Sequence, residues 1–503
     1  MDTIAGLLHG IGDVDNRGVR CGDQFISWRE HLGASRTRGA ALRRVLSPDR
    51  PPHVGVLMEN SVEFSLLLGA AGLGAFVLVG LNTTRRGEAL AADIARADCQ
   101  IVLVHAATRH LLDDLALDAV RVIDVDEPEW QTLVGSSVSS DFGVVTPDDL
   151  MMLIFTSGTT GDPKAVRCTQ RTFAVSGQML AERFDIGADD VVYLSMPMFH
   201  SNAVIAGWSV ALSGGAGVAV RQRFSASGFL PDVRRYGVTF ANYVGKPLHY
   251  ILSTPEAPDD ADNTLRIMYG NEATASDRDR FATRFGCRVV DGFGSTEGGV
   301  AITRTPDTPA DALGPLRAPT AVVDPDSGLP VAVGEVGEIV NSAGSGLFSG
   351  YYRDEKATAD RMRGGIYHTG DLAWVDDAGY LHFAGRLGDW MRVDGENLGT
   401  GPIERILLRH PRIAQVAVYG VPVEIGDEIE AVLVAHDLDP AEFGQFLSAQ
   451  TDLGPKQWPH RVRVVDALPT TATFKTLKRE LAAERTPPTW VRTGRTYHAP
   501  TAG

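Results

Sequence analysis

At residues 151–165 an apolar run, Met151-Met-Leu-Ile-Phe155, empties into Thr156-Ser-Gly-Thr-Thr-Gly-Asp-Pro-Lys164, a stretch of hydroxyls, glycines and one lysine. A buried strand that ends in such a loop demands a fold that presents strand ends to a ligand. Gly158 and Gly161 let the backbone bend and expose its N–H groups. Thr156, Ser157, Thr159 and Thr160 add hydroxyl donors, and Lys164 adds a point charge. Together they can hold an anionic polyphosphate. The segment is not a Walker A loop, which needs an adjacent Gly-Lys pair. Composition alone leaves an ordinary Ser/Thr-rich surface turn as the competing explanation.

Short apolar runs at residues 54–58, 101–104, 191–194 and 289–290 alternate with segments of helical period, which predicts layered α/β structure. Residues 64–81 are apolar and nearly long enough to span a bilayer. Four glycines and a β-branched, aromatic end predict instead a buried helix over 64–72 and a buried strand over 75–81. Gly- and Pro-rich punctuation over 324–350, then short strand-like pieces near Tyr367, 372–375 and 380–383, predict a β-rich subdomain. Pro402 opens a helix with Ile403, Ile406 and Leu407 on one face, and residues 413–421 and 429–434 read as strands of a small α+β domain. The expected division is 1–387 and 388–503. The polar, Pro-containing tail over 487–503 is expected to be poorly ordered.

At 503 residues the chain needs no disulfide or structural metal to build a core. Its formal charge of -16 argues against a nucleic-acid partner, which calls for clustered Lys and Arg. Cys21, Cys99, Cys168 and Cys287 are far apart and form no CxxC pair, as expected of reduced thiols in the cytoplasm. Residues 1–13 lack the basic start and long apolar core of a signal peptide.

The order Thr-Ser-Gly-Thr-Thr-Gly-x-Pro-Lys resembles the adenylate-forming superfamily of acyl-CoA synthetases, peptide-synthetase adenylation domains and luciferases, and further motifs follow in that family's order. Pro197-Met-Phe199-His200 resembles the segment whose His gates the acyl pocket, and Tyr269-Gly270-Asn271 the strand end bordering adenine. Asp291-Gly292-Phe293-Gly294-Ser295-Thr296-Glu297 resembles the motif whose ring packs near adenine, whose Thr meets phosphate and whose Glu helps to hold Mg²⁺. Tyr367-His-Thr-Gly-Asp371 resembles the motif whose Asp takes the ribose hydroxyls, with Arg386 as its basic companion. Leu468-Pro-Thr-Thr-Ala-Thr-Phe-Lys475-Thr-Leu-Lys478 is similar to the terminal motif carrying the adenylation lysine, which aligns with Lys475. Lys478 is the neighbour that could be mistaken for it.

What the resemblance implies is a large N-terminal adenylate-forming domain and a small mobile C-terminal lid. It also implies an enzyme that makes an acyl-adenylate from a carboxylic acid and ATP and passes the acyl group to coenzyme A. Lys475, Lys164, Thr296, Glu297 and His200 carry the implied catalytic roles, and Phe199, His200, Tyr243, Val244 and Gly245 the acyl pocket. Tyr243-Val-Gly245, Tyr269-Gly-Asn271, Gly395-Glu-Asn397 and Thr473-Phe-Lys475 resemble the fatty acid transport protein, or very-long-chain acyl-CoA synthetase, branch. That implies a bulky apolar acid, a long chain or a steroid side chain. Two positions depart from the wider pattern. Gly388, followed by Asp389, stands at the hinge where many members carry Asp or Lys, and Lys246 stands where the branch usually has Glu. Loading of a carrier protein, and lipid uptake with vestigial catalysis, are the competing functions. An apolar substrate leaves room for peripheral membrane contact, and a homodimer is left open.

Overall fold

The computed structural model describes residues 1–117, 119–137, 142–156, 163–387, 390–393, 396–423, 427–451, 453–471 and 476–500. By internal contacts the chain divides into two units. One is Met1–Arg304 with Ala343–Tyr367, and the other Thr305–Ser342 with His368–Gly503.

The first unit is built on two sheets. In the six-stranded sheet the order is Arg121–Asp124, Ile101–Val104, His53–Leu57, Val77–Gly80, Leu150–Thr156 and Lys164–Thr169. All pairs are parallel except the last, an antiparallel hairpin. His53–Leu57, Val77–Gly80 and Ile101–Val104 fall in apolar runs of the sequence. They are continuously buried, as a sheet covered on both faces requires.

The apolar stretch over 64–81 resolves into the helix Val62–Gly72 and the strand Val77–Gly80, with every residue from 64 to 81 buried except the half-buried Gly74. Ser61 starts the helix by accepting the Phe64 N–H at 3.1 Å. Among the described residues no helix is long and apolar enough to cross a membrane.

In the eight-stranded sheet the order is Ala301–Thr303, Arg288–Gly294, Ile267–Asn271, Phe240–Val244, Val191–Leu194, Gly217–Val220, Gly18–Cys21 and Gln24–Ser27. The six central strands are parallel, so their carboxyl ends face the same edge. Such edges are where open α/β sheets bind ligands.

The second unit contains the β-rich part expected from the sequence. Its sheet runs Gly314–Pro315, Tyr380–Arg386, Ile366–Val375, Gly337–Asn341, Thr320–Val323, and the first two residues of Ile366–Val375 belong to the other unit. A five-stranded sheet follows, Ile413–Pro422, Asp427–Ala435, Arg461–Val464, Trp490–Thr493, Thr496–His498. The helices Thr400–Leu407 and Pro440–Ala449 bury Ile403, Ile406, Leu407, Phe443 and Leu447 in its core.

The tail corrects the sequence expectation. Residues 490–498 form a hairpin joined to Arg461–Val464, and Trp490 and Tyr497 are buried in that same core. All four cysteines are free thiols, three of them buried and Cys21 half-buried. Burial pushes the Cys99 and Cys287 thiols up to about 12, so both stay protonated and inert.

Candidate active site

The phosphate-type loop is closed by strand pairing. Thr156 pairs with Lys164, and Phe155 with Ala165, in the antiparallel strands that flank it. Ser157, Gly158, Thr159, Thr160 and Gly161 lie outside the described residues. Arg96 fixes the following backbone by donating to the Pro163 carbonyl at 2.9 Å. The Lys164 ammonium lies 5.4 Å above the Tyr351 ring, and Val166 bridges to Tyr351 through its backbone.

Tyr351 connects this lysine to the expected metal-side carboxylate. Its hydroxyl donates to Glu297 Oε1 at 2.9 Å, and Arg361 Nε approaches the same hydroxyl at 3.4 Å. Glu297 is 8% exposed and Thr296 6%. Burial, then the Glu297 charge, raises the Tyr351 pKa, so the hydroxyl stays a donor. Burial alone would weaken the Arg361 charge, but Tyr351, Tyr367 and Glu297 outweigh it and raise its pKa. The Tyr367 ring occupies the space left by Gly299, whose added Cβ would lie 2.2 Å from it. Thr296 shares a hydrogen bond of 2.8 Å with Ser201, the residue after His200.

On the acid side, Phe199 is buried and His200 half-buried at the start of Ser201–Ala203. The His200 Nδ1 lies 3.5 Å from the Asn202 N–H, and Asn202 Nδ2 donates to the Tyr243 carbonyl at 3.1 Å. Asn242 Nδ2 donates back to the Asn202 carbonyl at 2.6 Å. A π-helical turn, Val204–Trp208, follows at once, a form that recurs at functional sites. Val244 and Gly245 are buried at the carboxyl end of their strand, and a Cβ on Gly245 would strike the Glu272 carbonyl. Burial lowers the pKa of the half-buried Lys246, against the charge of Glu272. Tyr243 itself lies in the apolar core and brings only its carbonyl to this edge.

The nucleotide-side motif is equally braced. Tyr243 donates its hydroxyl to Asp291 Oδ1, and Arg278 Nη1 donates to Asp291 Oδ2 at 2.8 Å. Burial raises the Asp291 pKa while Tyr243 and Arg278 pull it back. Gly292 and Gly294 leave room rather than make contacts: a Cβ at Gly292 would meet the Tyr269 hydroxyl at 2.5 Å. Phe293 pairs with Ile302, and Ser295 hydrogen-bonds the Tyr367 side chain. Asn271 Oδ1 is buried with no hydrogen-bond partner among the described residues, an acceptor suited to an amino group such as that of adenine.

Asp371 and Arg386, the pair that the resemblance assigns to ribose, lie in the second unit. Asp371 and Arg386 face each other across two antiparallel strands, with Arg386 Nε donating to Asp371 Oδ1 at 2.9 Å. Glu338, 1% exposed, receives the His368 Nδ1 at 2.7 Å and the Gly370 N–H at 2.8 Å. Gly370 has φ +72, which glycine adopts without strain. Lys478 donates at 2.8 Å to both Glu404 and Thr400, so its ammonium is engaged within its own domain. Thr470 pairs with Thr476, and Leu477 N–H reaches the Pro469 carbonyl, closing the ends of the segment that carries Lys475. Lys475, Thr473, Gly388, Asp389 and Gly395 lie outside the described residues, as do the side chains of Glu396 and Asn397.

The sequence motifs name Lys164, Thr296, Glu297, Asp371 and Arg386. They do not name Tyr351 and Arg361, which join Glu297, nor Arg278 on Asp291, Asn202 on the Tyr243 carbonyl, or Glu338 on His368 and Gly370. Among the described residues no group of three or more His, Cys, Asp or Glu could hold a metal ion. A lone buried carboxylate such as Glu297 nevertheless suits Mg²⁺ shared with phosphates and water.

Comparison with known proteins shows the family and the fold. The family model described as AMP-binding enzyme matches residues 13–352, and that of the AMP-binding enzyme C-terminal domain matches residues 402–475. The chain is 57% identical over 488 residues to the medium/long-chain-fatty-acid–CoA ligase FadD17 of Mycobacterium tuberculosis, covering 96% of each chain. It is 45% identical over 511 residues to the steroid-22-oyl-CoA synthetase of Rhodococcus jostii, covering 96% of this chain and 91% of that one. The fold is that of the ATP-bound MatB structure from Rhodopseudomonas palustris, with a TM-score of 0.84 at 24% identity over 95% of this chain and 98% of the other.

Proposed function

The chain belongs to the AMP-binding enzyme family, and from that premise we propose that it is an ATP-dependent ligase joining an apolar carboxylic acid to coenzyme A through an acyl-adenylate. The substrates carried by its relatives' names are medium- and long-chain fatty acids and a steroid side-chain acid. The observation that carries the reading is a linked cluster within the first unit: Lys164 over Tyr351, Tyr351 on Glu297, and Thr296 on the residue after His200.

In the first step a carboxylate oxygen attacks the α-phosphorus of ATP and pyrophosphate leaves. The attack needs charge neutralisation and alignment more than a covalent nucleophile. Lys164 and Thr296 bear on the phosphates, Tyr351 orients Glu297, and Asp371 with Arg386 takes the ribose. Mg²⁺ would be held by Glu297 together with the phosphates, and it supplies neutralisation of their charge. Lys475 is assigned the adenylating contact, because Lys478 is already engaged by Glu404 and Thr400. In the second step the thiol of coenzyme A attacks the acyl carbonyl and AMP leaves. The region 388–389 is proposed as the hinge that removes Lys475 between the steps, and as the boundary between the large domain and its lid. The reaction is placed in the cytoplasm, with lipid surfaces as a source of the acid.

The test is to incubate purified protein with MgATP, coenzyme A and a panel of medium to very long fatty acids and steroid side-chain acids, and identify products by mass spectrometry. Acyl-CoA with AMP is the expected result. Acyl-AMP without thioester transfers the function to carrier loading, and no AMP with any acid leaves a binding protein.

A further inference from the structure

A chain of hydrogen bonds runs through the first unit beneath the carboxyl ends of the eight-stranded sheet. It starts at His200, whose Nδ1 faces the Asn202 N–H at 3.5 Å, and passes from Asn202 Nδ2 to the Tyr243 carbonyl at 3.1 Å. From the other end of the same residue the Tyr243 hydroxyl donates to Asp291, which Arg278 holds from the helix Ala275–Phe285. Tyr243 and Asp291 are two strands apart, on Phe240–Val244 and Arg288–Gly294, with Ile267–Asn271 between them.

The side chain makes that crossing because residue 270 is glycine. A Cβ there would lie 2.2 Å from the Tyr243 carbonyl oxygen and 2.7 Å from its ring. Two short sequence features thus have one cause: Tyr243 crosses, and Gly270 makes way. The ring is wholly buried, and Asp291 carries a largely buried carboxylate held by two donors, an arrangement that fixes geometry tightly.

Resting on the adenylating reading above, we propose that Tyr243 is a positioning residue that couples the two substrates: it ties the acid-side His200–Asn202 turn to the nucleotide-side Asp291 strand, so that each ligand favours the strand-end geometry the other needs. The Tyr243 hydroxyl is buried and engaged by Asp291. The coupling acts through strand position, and linkage requires it to be reciprocal.

The experiment measures the dissociation constant of α,β-methylene-ATP by calorimetry, with and without saturating dodecanoate, in wild type, Tyr243→Phe and Asn202→Ala. Tyr243→Phe keeps the ring and removes only the donor. In wild type, dodecanoate should tighten the nucleotide analogue on the order of tenfold, within the usual range for coupled sites. In Tyr243→Phe the tightening should fall to about twofold or less, while the analogue alone binds within about threefold of wild type. Asn202→Ala cuts the chain outside the core and should lose the coupling in the same way, which keeps the test decisive if the buried variant does not fold. A purely structural tyrosine predicts equal weakening with and without dodecanoate, and that result overturns the proposal. Wild type that binds both ligands without coupling also overturns it. Wild type that binds no nucleotide analogue at all overturns the adenylating reading itself.

Discussion

Tyr351→Phe isolates one atom of the proposed phosphate site. The substitution keeps the ring beneath Lys164 and removes the hydroxyl that donates to Glu297 at 2.9 Å. Glu297 is 8% exposed, so water replaces that donor poorly. A hydrogen bond to a buried charged group contributes about 1.5–3 kcal/mol. If Glu297 must hold one orientation toward phosphate and Mg²⁺, that energy appears in the adenylation transition state as a loss of about 10–100-fold in kcat/KM. The assay is pyrophosphate release for the first half-reaction and acyl-CoA formation from supplied acyl-AMP for the second. The first should fall by that factor and the second should stay within about threefold, because no polyphosphate takes part in it. Equal loss in both half-reactions, or no loss in either of a folded variant, would refute the role given to the Tyr351–Glu297 pair.

Lys475→Ala should abolish adenylation and spare thioester formation from acyl-AMP, whereas Lys478→Met, which loses Glu404 and Thr400, should cost about 1 kcal/mol of stability and leave most adenylation intact; a reversed pattern would exchange their roles. Glu338→Gln, at a carboxylate 1% exposed that receives His368 and Gly370, should destabilise the protein by about 3 kcal/mol or more and raise the KM for ATP, as thermal denaturation and steady-state kinetics would show. Burial holds the His31 imidazole neutral, its pKa pushed down to about 3 from 6.5. The folded state therefore refuses a proton that the unfolded chain accepts, so this stability is complete above 6.5 and is lost at about 1.4 kcal/mol per pH unit as pH falls toward the folded value. His31→Gln should flatten denaturant-unfolding stability between about pH 7 and about pH 5 relative to wild type; an unchanged slope would mean that other groups carry the acid sensitivity.

Layered α/β structure was legible because its signal is local. Val54, Ile101 and Val191 each head an apolar run that a buried parallel strand requires. The segments proposed to take phosphate and ribose stand out for the same reason, since each lies within a few consecutive residues. The supporting groups do not. Tyr351 reaches Glu297 across 54 residues and Glu338 reaches His368 across 30, and only the folded chain brings them together. The tail misled because Trp490 and Tyr497 are separated by mostly polar residues, so their shared burial has no periodic trace. Lys478 is a second lysine near the motif position, and its contacts with Glu404 and Thr400, 74 and 78 residues away, have no local trace in the sequence.

The central claim is that the acid is activated as an adenylate, and an oxygen-tracing experiment tests it most directly. The protein is supplied with MgATP, coenzyme A and a fatty acid whose carboxylate carries a heavy oxygen isotope, and the products are weighed by mass spectrometry. Attack of the carboxylate on the α-phosphorus predicts that one labelled oxygen appears in AMP and one remains in the acyl-CoA. Acyl-CoA formed with unlabelled AMP, or with ADP and a labelled inorganic phosphate, would contradict it.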